Sequence, residues 1–115
     1  MPATAKTRRT MSPAALELVA ARFRVLGEPN RLKLLIELQA GERCVNDLSR
    51  ATGLTQANVS RHLHALMESG ILGRRKSGLQ VFYTIADSTI FEMCDHVCGS
   101  LAKRMKSQAS FFKNP

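Results

Sequence analysis

Gly53-Leu54-Thr55-Gln56-Ala57-Asn58-Val59-Ser60-Arg61-His62-Leu63 is the stretch on which the reading of this chain turns. Glycine ends helices because it adopts left-handed backbone without penalty, and a threonine hydroxyl accepts from the exposed amides of a first helical turn. Only Leu54 separates Gly53 from Thr55, so one helix stops and another starts almost at once. The first runs over about Asn46 to Thr52, with Asn46 or a neighbour as cap; the second runs from Thr55 to Ser69 and stops at Gly70. Two helices joined by a tight turn holding glycine describe a helix-turn-helix, whose second helix enters the major groove of DNA. With Val59, Leu63 and Leu66 inward, a step of about 100° per residue turns Ala57, Arg61 and His64 outward. Asn58 and Ser60 flank that face, and Gln56 sits in the first turn. Gln and Asn pair with adenine, Arg with guanine, and Ser with several partners. The plainer alternative is a helix solvated on one side.

Working outward, Ser12-Pro13 opens a first helix, with Leu16, Val19, Ala20 and Phe23 at helical spacing. Glu28-Pro29-Asn30 breaks the chain and starts a second helix from Arg31 to Gln39, with Leu32, Leu35, Ile36 and Leu38 apolar and Gly41 as stop. Downstream, Ile71–Lys76 and Leu79–Ile85 read as two strands around Ser77-Gly78, a hairpin. Arg74, Arg75 and Lys76 run into that turn, where a wing meets backbone phosphate. Strand alternation sends Arg74 and Lys76 to one face and Arg75 to the other. Asp87 or Ser88 caps a last helix whose apolar seam is Ile90, Cys94, Val97, Cys98, Leu101 and Met105. The expected fold is mainly α with a small β-hairpin, in the order α-α-α-α-β-β-α. Residues 1–11 are expected to form a basic flexible arm, 12–106 a winged helix-turn-helix domain, and 107–115 a C-terminal tail.

Composition narrows the function. With 115 residues the chain fits one domain, which excludes a multidomain enzyme. No apolar run approaches the roughly 20 residues that span a bilayer, so no membrane partner is expected. Met1–Thr10 is polar and basic with no apolar centre, unlike a secretory signal. Together with three cysteines, too few for a disulfide scaffold, this gives the cytoplasm as the expected location. The net charge of +8 is uneven: residues 1–10 carry +3, 11–70 only +1, 71–87 +2 and 88–115 +2. Localised positive charge is the footprint of a protein that binds a polyanion, although basic ends also merely aid solubility. No His-Glu-x-x-His, glycine-rich phosphate loop or Cys-x-x-Cys occurs, and His62, His64 and His96 show no carboxylate partner, so no enzyme activity is expected.

Leu26-Gly27-Glu28-Pro29-Asn30-Arg31-Leu32, the Gly53–Leu63 stretch, Gly70-Ile71-Leu72 and Val81-Phe82-Tyr83 together resemble the ArsR/SmtB family over about residues 14–102. The resemblance implies a homodimeric winged-helix repressor of double-stranded operator DNA. Its first and last helices would form the dimer interface, and an inducing ligand would weaken operator binding. The DNA contacts expected are Thr55, Gln56, Asn58, Ser60, Arg61 and His64 on the reading helix, with Arg74, Arg75 and Lys76 on the wing. A protein-interaction module that has lost DNA binding is the competing class, and salt-dependent DNA binding separates the two.

The family's sensing sites carry over only in part. Its thiolate site has Cys-x-Cys at the start of the third helix; here Cys44-Val45-Asn46 keeps the first position and loses the second. Its last-helix site has Asp, a His two residues on and a later His-x-x-Glu; Asp87 fits, but Thr89, Ser100 and Lys103 fill the other places. No zinc site of that type is therefore expected. Cys94 and Cys98 lie one turn apart, with Cβ atoms roughly 5–6 Å apart, beyond the roughly 3.5–4.5 Å of a disulfide. They could share a soft metal or metalloid ion, with Cys44 as a third sulfur if the fold brings it near. His96 points about 200° away from both and is no ligand from the same helix. Cys44 lies at a helix start beside Arg43, which favours a reactive thiolate open to oxidation or persulfidation. Against all this, cysteine is a small apolar residue and all three suit a purely structural role.

Overall fold

Helices form where the sequence offers the first amides an acceptor. In the computed structural model, which describes residues 10–105, Ser12 Oγ accepts from the Ala15 amide at 3.2 Å and Pro13 opens α1 (Pro13–Leu26). Glu28 caps α2 (Pro29–Leu38) by accepting from the Asn30 amide at 2.7 Å. Thr55 does the same for α4 (Gln56–Glu68), accepting from Asn58 at 3.1 Å. At α3 (Val45–Thr52) the cap position is Cys44, with no side-chain bond, so Asn46 does not cap it. For α5 (Thr89–Arg104) Ser88 holds the cap position, while Asp87 Oδ1 takes the Thr89 amide at 3.0 Å. The expected arm up to residue 9, residue 106 at the end of the expected domain, and the whole expected tail lie outside the described residues.

The turn between α3 and α4 is built as its residues dictate. Gly53 takes φ 78°, the left-handed conformation that favours glycine, and its amide bonds Ser49 O at 2.9 Å. Ser49 Oγ donates to Leu54 O at 2.6 Å, and Thr52 Oγ1 accepts from the Leu54 amide at 3.3 Å. At the far end of α4, the Gly70 amide bonds Met67 O at 3.0 Å and the Ile71 amide bonds Leu66 O at 3.1 Å, the double closure of a Schellman end.

The sheet has one strand more than the sequence reading gave. A two-residue β1 (Arg43–Cys44) pairs antiparallel with β3 (Gln80–Ile85), which pairs with β2 (Leu72–Ser77), in the order β1-β3-β2. Two residues carry no readable period, so β1 exists only through its partner. The hairpin turn also falls one residue later than expected. Ser77 pairs with Gln80, so the turn is Gly78-Leu79, with Gly78 at φ 63°. A two-residue hairpin of this kind wants positive φ at its first central position, and glycine supplies it.

Leu34, Leu35, Leu38, Leu48, Val59, Leu63, Leu66, Ile71, Leu72 and Ile90 close one core, joined at its edge by Leu26. The predicted stripe Val59, Leu63 and Leu66 is fully buried. In α2 it is Leu34 that turns inward, whereas Ile36 stays exposed. Two apolar faces are left outside this core. On α1, Leu16, Val19 and Phe23 are exposed, and on α5 Val97 and Leu101 are exposed, with Met105 at its C-terminal cap. No helix among the described residues is long and apolar enough to cross a membrane.

Candidate nucleic-acid interface

Burial of Val59, His62, Leu63 and Leu66 fixes the roll of α4 and leaves its other side to solvent. Thr55, Gln56, Asn58, Ser60, Arg61 and His64 are all exposed along that side. They are also ordered among themselves: Gln56 Nε2 donates to Asn46 Oδ1 across the turn, and Arg61 donates to Asn58 Oδ1 at 3.3 Å. Thr55 spends an oxygen lone pair on its cap, and its hydroxyl hydrogen remains able to donate. The face is therefore rich in amide, hydroxyl and guanidinium groups on a helix that cannot roll.

On the buried side of α4 stands a residue for which the sequence showed no partner. His62 is 2% exposed, and its Nδ1 accepts from Arg31 Nε at 3.1 Å. That bond requires a neutral imidazole with its proton on Nε2. Burial depresses the His62 pKa below the usual histidine value, and the positive charges of Arg61 and Arg31 depress it further against a smaller opposing pull from Glu28. Arg31 also donates to Val25 O at 3.3 Å, so one side chain joins the end of α1 to the middle of α4. Its place in the Glu28-Pro29-Asn30-Arg31 motif was visible; its partner, 31 residues away, was not.

The hairpin divides its three cations. Arg75 donates to Glu42 through three contacts of 2.5 to 3.1 Å and lies over the Phe82 ring at 4.9 Å. The pair holds the Glu42 carboxyl below its usual range. Arg74 and Lys76 are exposed and have no carboxylate partner among the described residues. The predicted alternation thus separates one cation braced against the sheet from two that stand clear of it.

The cysteines are dispersed. Cys44, in β1 and at the start of α3, borders a shallow hollow of about 200 Å³ with Val45, Asn46, Gln80 and Val81. The neighbouring Arg43 faces Glu37 at 3.6 Å, so its charge is shared. Cys94 and Cys98 are half-buried on α5, and burial, then the Cys98 thiol and Asp95, push the Cys94 thiol up. Among the described residues of one protomer, no three His, Cys, Asp or Glu side chains gather to hold a metal ion. Cys44 therefore does not complete a three-sulfur site with Cys94 and Cys98 within one chain.

Comparison with known proteins bears on this arrangement. The family model for the bacterial regulatory protein, arsR family, matches residues 28–73. A transcriptional repressor SmtB homolog of Synechocystis is 32% identical over 91 residues, covering 76% of this chain and 69% of that protein. The arsenical resistance operon repressor of Escherichia coli is 42% identical over 65 residues, 56% of each chain. The homodimeric winged helix-turn-helix DNA-binding domain of a possible ArsR-family regulator from Mycobacterium bovis superposes with a TM-score of 0.72 at 27% identity, covering 87% of this chain and 95% of that one. Against other curated relatives the chain spans as little as 53% of their length.

Proposed function

The chain belongs to the arsR family of bacterial regulatory proteins, and from that premise we propose that it is a dimeric winged helix-turn-helix repressor of double-stranded operator DNA. Regulators of this fold are not enzymes, and its place of work is the cytoplasm, where its DNA lies. The observation that carries the reading is the exposed face of α4 bearing Gln56, Asn58, Ser60, Arg61 and His64, beside Arg74 and Lys76 on the hairpin. Amides and guanidinium on a fixed helix suit base edges, while cations on a protruding hairpin suit phosphate. Arg75 contributes charge to the wing but is braced by Glu42. A second copy of the chain covers the apolar faces of α1 and α5, much as the Mycobacterium bovis neighbour is homodimeric.

For the inducer, we propose sensing through the thiols of Cys44, Cys94 and Cys98, by a soft metal or metalloid ion or by oxidation or persulfidation. Similarity to a repressor of arsenical resistance supports the first chemistry. Any site of three sulfurs would need a thiol from the second protomer. A purely structural role is the second reading, favoured by the half-burial of Cys94 and its raised pKa, which keeps the thiol protonated.

The test is fluorescence anisotropy with reduced full-length protein and a duplex from upstream of its own gene, repeated with a scrambled duplex and across a salt series. Tighter binding to the upstream duplex, weakening steeply with salt, is the expected result. Salt-insensitive or absent binding would make the chain an interaction module. Adding arsenite, Zn²⁺ or a persulfide donor, with a Cys44→Ser control, then identifies the inducer. Release that the control abolishes assigns Cys44 to sensing; unchanged binding throughout assigns the cysteines to structure.

A further inference from the structure

Helix α5 is held to its own protomer almost entirely at its root. Ile90, in the first turn, is its one fully buried residue among those described, with Phe91 and Met93 packed at the core edge. Beyond them no described residue of the helix is buried: Cys94 and Cys98 are half-buried, and Val97, Leu101 and Met105 are exposed. The direction of α5 is therefore set by whatever grips residues 86 to 91. The backbone supplies part of that grip: the Ala86 and Asp87 amides both donate to Ile71 O, at 2.8 and 3.2 Å. Ile71 is itself the residue whose amide closes the end of α4.

One side chain from a third helix completes the joint. Arg22 of α1 donates through one guanidinium nitrogen to Asp87 Oδ2 at 3.2 Å and through the other to Ser69 O at 2.9 Å. Asp87 Oδ1 meanwhile takes the Thr89 amide and hydroxyl, which start α5. Ser69 is the C-terminal cap of α4. A single planar group thus spans the end of the reading helix and the start of the projecting helix, and its own backbone belongs to the other helix with an open apolar face. Arginine suits this joint because its donors diverge in a fixed plane; lysine offers one nitrogen and no such fork.

We propose that Arg22 is a positioning residue that couples the seating of α1 and α5 to the orientation of α4, and so sets discrimination between operator and other DNA. The proposal rests on the regulator reading above and extends it to how the reading helix is aimed. Arg22 acts at the Ser69 end of α4, a helix of 13 residues spanning about 20 Å, whereas the base-facing groups cluster toward Thr55. It touches no DNA; a tilt at one end of a stiff rod moves the other.

The test uses full-length protein and compares wild type with Arg22→Met, Arg22→Lys, Asp87→Asn and the double variant Arg22→Met/Asp87→Asn. Four quantities are read: affinity for the upstream duplex, affinity for a scrambled duplex, the salt slope of each, and the dimer dissociation constant by sedimentation. Arg22→Met is expected to lower upstream-duplex affinity about tenfold, with scrambled-duplex affinity, both salt slopes and dimerisation within twofold of wild type. Arg22→Lys recovers part of the loss. The double variant is no worse than Arg22→Met alone, because the two groups act through one joint. If Arg22→Met unfolds, Arg22→Lys and Asp87→Asn carry the same comparison. Equal loss on both duplexes, or additive losses in the double variant, overturns the coupling, as does unchanged upstream-duplex affinity. Wild type that binds neither duplex overturns the regulator reading and the coupling with it, whereas the other outcomes leave that reading standing.

Discussion

Helices α4 and α5 are of similar length, 13 and 16 residues, yet the fold treats them in opposite ways. Four residues of α4 are buried in the protomer; only Ile90 of α5 is. Each large apolar side chain taken fully into a core contributes roughly 1.5–3 kcal/mol, so α4 is secured by its own chain and α5 is not. The polar face of α4 is complete and ordered, whereas the apolar seam of α5 ends in solvent. Under the proposed function the difference separates two tasks: a reading helix must be fixed before it meets DNA, and an assembly helix must stay open until it meets a second copy.

The contrast is sharpest where the core is cut. Leu63→Ala removes a fully buried side chain from α4 and is expected to destabilise the protomer by about 2–5 kcal/mol, measured by urea or thermal unfolding. Leu101→Glu alters an exposed position on α5. It is expected to leave helix content unchanged while raising the dimer dissociation constant at least about tenfold, as burying an unpaired charge demands, read by sedimentation velocity. Equal effects of the two changes on protomer folding would erase the distinction between the helices.

Acid provides a graded version of the same comparison. His62 is buried neutral, and its pKa in the fold is lowered from the ordinary 6.5. The unfolded chain therefore takes up a proton first as pH falls, and stability declines below about pH 6.5 until the folded-state pKa is passed. Unfolding followed from pH 7.5 to 5 should show this decline in wild type and a weaker one in His62→Gln, which keeps an acceptor for Arg31. Asp87 follows the same sign in a lower window: bonds from Thr89, then Arg22, hold its carboxyl below the usual 3.8, so its contribution is lost only as pH falls below about 3.8. The smallest effect belongs to the wing. Lys76→Ala should weaken binding to upstream and scrambled duplexes alike, a few-fold each, and reduce the salt slope by about 1.

Local features of this fold were legible in the sequence because they depend on residues a few positions apart. Ser12, Thr55, Gly53 and Gly70 mark helix ends through bonds that reach three or four residues, and the Val59, Leu63, Leu66 stripe follows from helical geometry alone. What escaped the reading depends on distant partners. β1 exists because Tyr83 and Phe82 pair with Arg43 and Cys44. Arg75 and Glu42 meet across 33 residues, Arg31 and His62 across 31, and Arg22 and Asp87 across 65. The exposed polar side of α4 was readable for the same reason as its buried stripe, whereas Arg31 and Arg22, which bond that helix from distant positions, were not. The hairpin turn moved by one residue because strand registry, rather than the Ser77-Gly78 pair itself, selects which residues turn.

The central claim is that α4 reads sequence while the hairpin supplies affinity, and Arg61→Ala tests it most directly. Upstream and scrambled duplexes are titrated by anisotropy at one fixed salt concentration, with dimer state verified in parallel. The account predicts that discrimination between the duplexes falls by about 1–3 kcal/mol while scrambled-duplex binding stays near wild type. An equal loss on both duplexes would make Arg61 another phosphate contact and contradict the division of labour.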